Sequence, residues 1–92
     1  MSMKARIEDK LRAAFAPVSL EVIDESHQHA GHAGWREGGE THYRVRMVAA
    51  AFEGQSRVAR QRAVNRCLEH ELATTVHALA MELSVPEGAT GT

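Results

Sequence analysis

Cysteine is nearly missing. Cys67 is the only one in the chain, which excludes an intrachain disulfide and any metal site made of cysteines alone. An excess of charge is missing too. Eleven Lys and Arg against twelve Asp and Glu leave a formal net charge of −1, so no global field draws the protein to nucleic acid or to a membrane. No long apolar run and no leader-like start are found, and the chain reads as soluble and cytoplasmic. Aromatic residues are sparse, and none is interleaved with the arginines between 57 and 66. That argues against a stacking platform for single-stranded nucleic acid. No phosphate loop, nucleophile elbow or paired-carboxylate signature occurs, so the chain reads as a non-enzyme. At 92 residues it is one small domain with one modest core.

Histidine is what the chain does have. His27, His29 and His32 crowd into the stretch Ser26–Gly34, and His77 sits downstream in the apolar run Val76-His77-Ala78-Leu79-Ala80-Met81. The bland reading is a set of solvated loop histidines and one hydrogen-bonded strand histidine. The sharper reading is a transition-metal site, because imidazole suits Zn, Cu, Fe and Ni and titrates near neutral pH.

Periodicity supplies the framework. Ile7, Leu11, Ala14 and Phe15 lie on one face of a helix from Met3 to Phe15, which Pro17 ends. Val18, Leu20 and Val22 alternate with polar residues, predicting a strand over 18–23. The segment from Asp24 to Gly39 is a long polar loop holding four of the seven glycines; residues 27–38 are expected to be the most mobile internal segment. Tyr43, Val45 and Met47 alternate with His42, Arg44 and Arg46 in a second strand, 40–49, with His42 read as structural on the polar face. After a turn at Phe52-Glu53-Gly54-Gln55, Ser56 is placed to cap a second helix carrying Val64, Leu68 and Leu72. This helix, in one piece or two, is interrupted by Thr74 and Thr75. Val76 then opens a third strand reaching about Val85, with the His77 side chain on the face opposite Val76 and Ala78. The domain is taken as 1–86, with a flexible tail at 87–92. The fold class is α+β: a three-stranded mixed sheet with helices on one face.

Five stretches together resemble the BolA-like family, over nearly the whole chain from Ile7 to about Leu83. They are Leu20-Glu21-Val22-Ile23-Asp24-Glu25-Ser26 with His29 three residues on, Gly39-Glu40-Thr41-His42-Tyr43-Arg44-Val45, Phe52-Glu53-Gly54-Gln55-Ser56-Arg57-Val58, Arg60-Gln61-Arg62 and Val76-His77-Ala78-Leu79. The resemblance implies an α-β-β-α-β fold related to class II KH domains. It also implies a monothiol glutaredoxin as partner and a [2Fe-2S] cluster shared with it and with glutathione, none being held tightly by the isolated chain. In the family the histidine of Val-His-Ala-Leu, here His77, is one ligand. The second comes from the loop, pointing to His29, with His32 also within the loop's reach and His27 solvated. The family usually reads Arg-His-Arg where this chain has Arg60-Gln61-Arg62, and Gln61 takes no proton near pH 7.

Other features weigh less. Arg57, Arg60, Arg62 and Arg66 give the second helix a basic character, and members of the family are often described as DNA-binding regulators. DNA is thus the alternative partner, with weak, salt-sensitive contact expected. Gly31-His32-Ala33-Gly34 matches the Gly-x-x-Gly of KH domains only formally, since it lies between strands and not between helices. Cys67 reads as a small packing residue. Alone, the chain is expected to be a monomer or a weak homodimer.

Overall fold

The structure, a computed structural model, describes residues 2–25 and 41–86. The histidine loop lies outside the described residues. With it lie His27, His29, His32, the Gly-x-x-Gly match and the expected mobility of 27–38; the tail at 87–92 is outside as well. The element order is α1 (Met3–Phe15), β1 (Ser19–Asp24), β2 (His42–Val48), a 3-10 turn (Ala50–Phe52), α2 (Arg57–Cys67), α3 (Glu69–Thr74) and β3 (Ala78–Ser84). The second helix is thus in two pieces, which break at Leu68.

Helix α1 opens on Ser2, whose hydroxyl accepts the Ala5 N–H at 3.1 Å. Its buried stripe is Met3, Ile7 and Leu11, with Phe15 packed partly against the core. Ala14 is exposed, so the stripe is narrower than its spacing suggested. Pro17 acts as expected, and its effect falls on Ala16. That residue cannot continue the helix before a proline, and it takes φ 46° and ψ 54° in the left-handed region. An L-residue is strained there and glycine is not. Ala16→Gly is therefore expected to stabilise the fold by about 0.5–1 kcal/mol, after glycine's extra freedom in the unfolded chain is subtracted. Urea unfolding checks this, and a lower midpoint would contradict it.

The turn into α2 is of the type II form. Glu53 has φ −61° and ψ 136°, Gly54 has φ +77°, and the Gln55 N–H reaches the Phe52 carbonyl at 3.1 Å. Ser56 then caps α2 by accepting the Ala59 N–H at 3.1 Å.

The described strands form one sheet in the order β1-β2-β3. β1 runs antiparallel to β2, with Ser19 opposite Val48 and Asp24 opposite Tyr43. β2 runs parallel to β3, with His42 opposite Ala78 and Val48 opposite Ser84. A parallel pair needs a crossover, and α2 with α3 provides it. One face of the sheet packs Val22, Tyr43, Val45 and Met47 against Ile7 and Leu11 of α1 and Val64 and Leu68 of the second helical segment, all in a single core. The other face carries an ion-pair lattice. Arg44 bonds Glu25 at 2.9 Å and Glu82 at 3.2 Å, and Arg46 bonds Glu82 at 3.2 Å and Glu21 at 3.4 Å. Those carboxylates hold both guanidinium pKa values above their ordinary range, through the Glu25 hydrogen bond for Arg44 and the Glu82 hydrogen bond for Arg46.

Two strand starts differ from the sequence reading. Val18 precedes β1 and is exposed, so the inward alternation begins at Leu20. β3 begins at Ala78, two residues later than expected. Val76 is buried before the strand begins, while His77 and Ala78 are both exposed. The simple alternation that set His77 opposite both neighbours therefore fails, because residues 76 and 77 still belong to the turn out of α3.

Candidate functional site

Three chain ends meet at one end of the sheet. β1 finishes there at Asp24, and β2 and β3 both start there. The polar loop leaves at Glu25 and returns at Thr41, and the Glu25 N–H donates to the His42 carbonyl at 2.8 Å. Thr41, fully buried, is the junction. Its carbonyl accepts the His77 N–H at 2.7 Å and the Ala78 N–H at 3.3 Å. Its hydroxyl oxygen lies 2.8 Å from His42 Nδ1. The His77 backbone is thus anchored, while its residue is exposed. The His42 and His77 rings face each other, with centres 6.3 Å apart and planes 21° from parallel. The sequence pattern alone reads His42 as structural. It gave no sign of this juxtaposition, because a parallel register between residues 42 and 78 leaves no mark in local spacing.

The turn that delivers His77 is buttressed from below. Glu71 of α3 is fully buried, and its carbonyl accepts the Thr75 N–H at 3.0 Å and the Val76 N–H at 2.9 Å. Its carboxylate meets Arg6 Nη2 at 2.9 Å and Lys10 Nζ at 2.8 Å, both from α1. Burial alone would raise the Glu71 pKa. Hydrogen bonds from Lys10 and from its own backbone, with the charges of Lys10 and Arg6, outweigh that and hold it below the usual carboxylate range. The carboxylate stays ionised and ties α1 to the segment that leads into β3.

A profile of the family described as "BolA-like protein" matches residues 11–88. The chain belongs to the BolA-like family. This BolA-like chain is 55% identical over 87 residues to the "Uncharacterized protein in cobS 5'region" of Sinorhizobium sp., covering 94% of each chain. It is 48% identical over 81 residues to the "DNA-binding transcriptional regulator BolA" of Escherichia coli (strain K12), covering 88% of this chain and 73% of that protein. Among solved structures, the BolA domain of SufE1 from Arabidopsis thaliana superposes with a TM-score of 0.84 at 43% identity, over 94% of each chain. BolA-like proteins are non-enzymatic adaptors and regulators. No helix among the described residues is long and apolar enough to cross a membrane.

The arginines of the BolA-like α2 do not form one track. At 100° per residue, Arg57 and Arg60 fall on one side of the helix and Arg62 and Arg66 on roughly the opposite side. Arg57, Arg60 and Gln61 line an open groove of about 620 Å³ together with Arg46, Met81 and Glu82. Arg66 lines a separate shallow hollow beside Asn65, Glu69 and Leu72. Gln61, standing where the family usually has histidine, is half-buried.

Arg60 is already occupied. Its Nε donates to the Gln55 carbonyl at 3.1 Å and its Nη1 to the Leu83 carbonyl at 3.3 Å, with the guanidinium 6.0 Å from the centre of the Phe52 ring. It clasps the turn before α2 to the edge strand β3. Arg60→Ala is expected to lower stability by about 1–2 kcal/mol through two lost charge-assisted bonds. Arg62→Ala, at an exposed position, should stay within about 0.5 kcal/mol. Paired thermal melts check the contrast, and equal effects would contradict the clasp.

Cys67 is half-buried, and its thiol lies 3.6 Å from the Lys10 carbonyl. Burial pushes the thiol pKa up, with the Glu71 charge adding to this and the Lys10 charge opposing it. A raised pKa removes the thiolate that a nucleophile needs, in keeping with a packing role.

Proposed function

We propose that this BolA-like protein is an adaptor that partners a monothiol glutaredoxin and shares ligation of a [2Fe-2S] cluster, in iron–sulfur trafficking or in redox and iron sensing. His77 is the ligand that the described residues offer. The observation that carries this reading is its placement. The imidazole is exposed at an end of the sheet, while its backbone N–H is anchored to the carbonyl of a fully buried threonine. Such a ring reaches outward to a partner without loosening the sheet. The donor chemistry fits. Imidazole accepts iron, and histidine ligation raises the potential of a [2Fe-2S] centre above that of all-thiolate ligation. Only the neutral ring binds, so ligation weakens as protons are added. Cluster iron on the glutaredoxin side is held by that protein's cysteine and by glutathione, and this chain's second ligand comes from the loop that carries His29 and His32.

Co-expression with a monothiol glutaredoxin, followed by visible absorption and circular dichroism of the purified complex, tests the reading. A mixed complex with a cluster spectrum distinct from that of the glutaredoxin alone supports it. A complex that never forms, or one whose spectrum equals that of the glutaredoxin alone, counts against it.

A second reading has one specific support, the printed name of the Escherichia coli relative as a DNA-binding transcriptional regulator. On this reading the second helix contacts phosphates through Arg62 and Arg66, which share one side, with Arg57 on the other side and Arg60 committed to the fold. Two phosphate contacts give a slope of about −1.8 in log K against log salt. Binding to a defined promoter fragment at several salt concentrations tests it, and a slope near zero removes it.

A further inference from the structure

We propose that the outer edge of β3 is a docking site for an extended, acidic peptide segment of a partner protein, which adds to the sheet as a further strand beside α2. The site lies toward the end of the sheet opposite His77, where β2 and β3 finish. It stands independently of the cluster reading.

The backbone comes first. No described strand lies beyond β3 in the order β1-β2-β3. The Ala78 N–H donates to the Thr41 carbonyl and the Ser84 carbonyl accepts the Ala49 N–H, so both residues face the β2 side. Along a parallel strand, alternate residues turn their backbone groups to opposite sides, and Leu79, Met81 and Leu83 therefore turn theirs outward. The Leu83 carbonyl agrees: it is met by Arg60 Nη1 of α2 at 3.3 Å and not by a β2 group. The N–H and C=O of Leu79 and Met81 and the N–H of Leu83 have no such partner among the described residues. Natural edges are often blunted by proline, lysine or a bulge. β3 has neither proline nor lysine, and its one charge, Glu82, is held against its own sheet by Arg44 and Arg46, each at 3.2 Å.

The groove beside this edge sets the chemistry of the segment. Arg57, Arg60 and Gln61 of α2 line it opposite Met81 and Leu83, which are half-buried there. Arg46 also lines it, but Glu21 and Glu82 neutralise that charge. Arg57 has no carboxylate partner among the described residues, and Arg60 donates only to the carbonyls of Gln55 and Leu83. Two positive charges thus face the groove without a counter-charge. An acidic segment supplies it. Its main chain pairs with the edge, its alternate apolar side chains cover Met81 and Leu83, and its carboxylates meet the arginines. The Gln61 amide adds a donor and an acceptor.

Two other occupants fit less well. A nucleic acid strand wants aromatic rings to stack on, and none lines the groove; it also leaves the strand-pairing groups of the edge unused. A second copy joined β3 to β3 sets the Arg57 and Arg60 of both chains side by side, where like charges repel.

The test uses the full chain alone, with a fluorescein-labelled peptide of alternating valine and glutamate as probe. Fluorescence anisotropy should show binding. With the peptide at about ten times its Kd, hydrogen exchange at the amides of Leu79, Met81 and Leu83 should slow by about tenfold. The same peptide methylated on the backbone nitrogens that face the sheet should not bind, because it cannot donate to the edge. Lysine in place of its glutamates should weaken binding, and Arg57→Glu should weaken the glutamate peptide by about tenfold, an attraction being lost and a repulsion gained. Arg57 is exposed, so this variant should melt like its parent. Absence of binding, equal binding of the methylated or the lysine peptide, or unchanged exchange at the edge amides in the complex overturns the proposal. Protection of those amides that rises with protein concentration and needs no peptide assigns the edge to a second copy and overturns it too. Arg57-dependent binding of duplex DNA with no binding of the peptide gives the groove to nucleic acid, with the same consequence.

Discussion

Replacing His77 with alanine is expected to abolish or reshape the visible circular dichroism of the mixed cluster with glutaredoxin while the domain stays folded. The two halves of that result have separate causes. Alanine keeps the backbone N–H that meets the Thr41 carbonyl at 2.7 Å, and the exposed ring covers little core area, so the stability change should lie within about 0.5 kcal/mol. The spectrum changes because a nitrogen is lost from iron, and the electronic transitions of the cluster follow its donors. His29→Ala should act in the same direction but more weakly if His32 substitutes for it. The measurement is direct: purified variant and cluster-loaded glutaredoxin are mixed and the visible spectrum is recorded. An unchanged spectrum with normal complex formation means that His77 is not a ligand, and the proposed function loses its main residue.

The largest effect on stability is expected at Glu71. Glu71→Ala removes a fully buried carboxylate, opens a cavity and cuts the tie from α3 to Arg6 and Lys10 of α1. Arg6 and Lys10 are themselves 37% and 41% exposed, so they turn to water and are not stranded. The loss is therefore placed at about 2–4 kcal/mol, at or below the usual cost of breaking a buried pair. In a domain of this size that is a drop on the order of 10–25 °C in Tm. Glu71→Gln keeps the volume and isolates the charge. A carboxylate whose folded pKa lies below its unfolded value near 4.3 contributes fully above that value. Its contribution fades as pH falls through the folded pKa. The protein should accordingly lose stability on acidification below about pH 4.3 more steeply than Glu71→Gln does. Urea midpoints at a series of pH values read this, and identical acid limbs would show that the charge at position 71 contributes nothing.

Much of the fold was legible because short-range signals agreed with one another. The spacing of Ile7 and Leu11, the proline after α1, the alternation around Tyr43, Val45 and Met47, and the capping Ser56 each pointed to the element that forms. Where the reading slipped, a tertiary contact overrode a local one. Val18 fits a strand pattern but has no partner layer to cover it. Val76 is buried by the α3 turn and not by a strand, which delays β3 to Ala78. Glu71 could have been flagged: it sits three residues past Leu68 on an apolar arc, and Arg6 and Lys10 are spaced four apart on α1, in line to meet it. Of the candidate site residues, the motif points to His77 as a ligand, and the structure leaves that residue exposed. The loop histidines lie outside the described residues. The place of His42 beside His77 depends on a strand pairing across 36 positions of sequence, His42 with Ala78, and no periodicity encodes that.

The parallel pairing of β2 with β3 has a kinetic side. Residues 41–42 and 77–78 are brought together only after the whole crossover of α2 and α3 has docked, since no hairpin holds them close beforehand. A nascent or partly opened chain scatters its imidazoles and offers no assembled end of the sheet. The bond from the His77 N–H to the Thr41 carbonyl is the first rung of that ladder, and its protection against hydrogen exchange reports whether the site exists at a given moment. The end of the sheet that presents His77 therefore exists only in a completely folded chain.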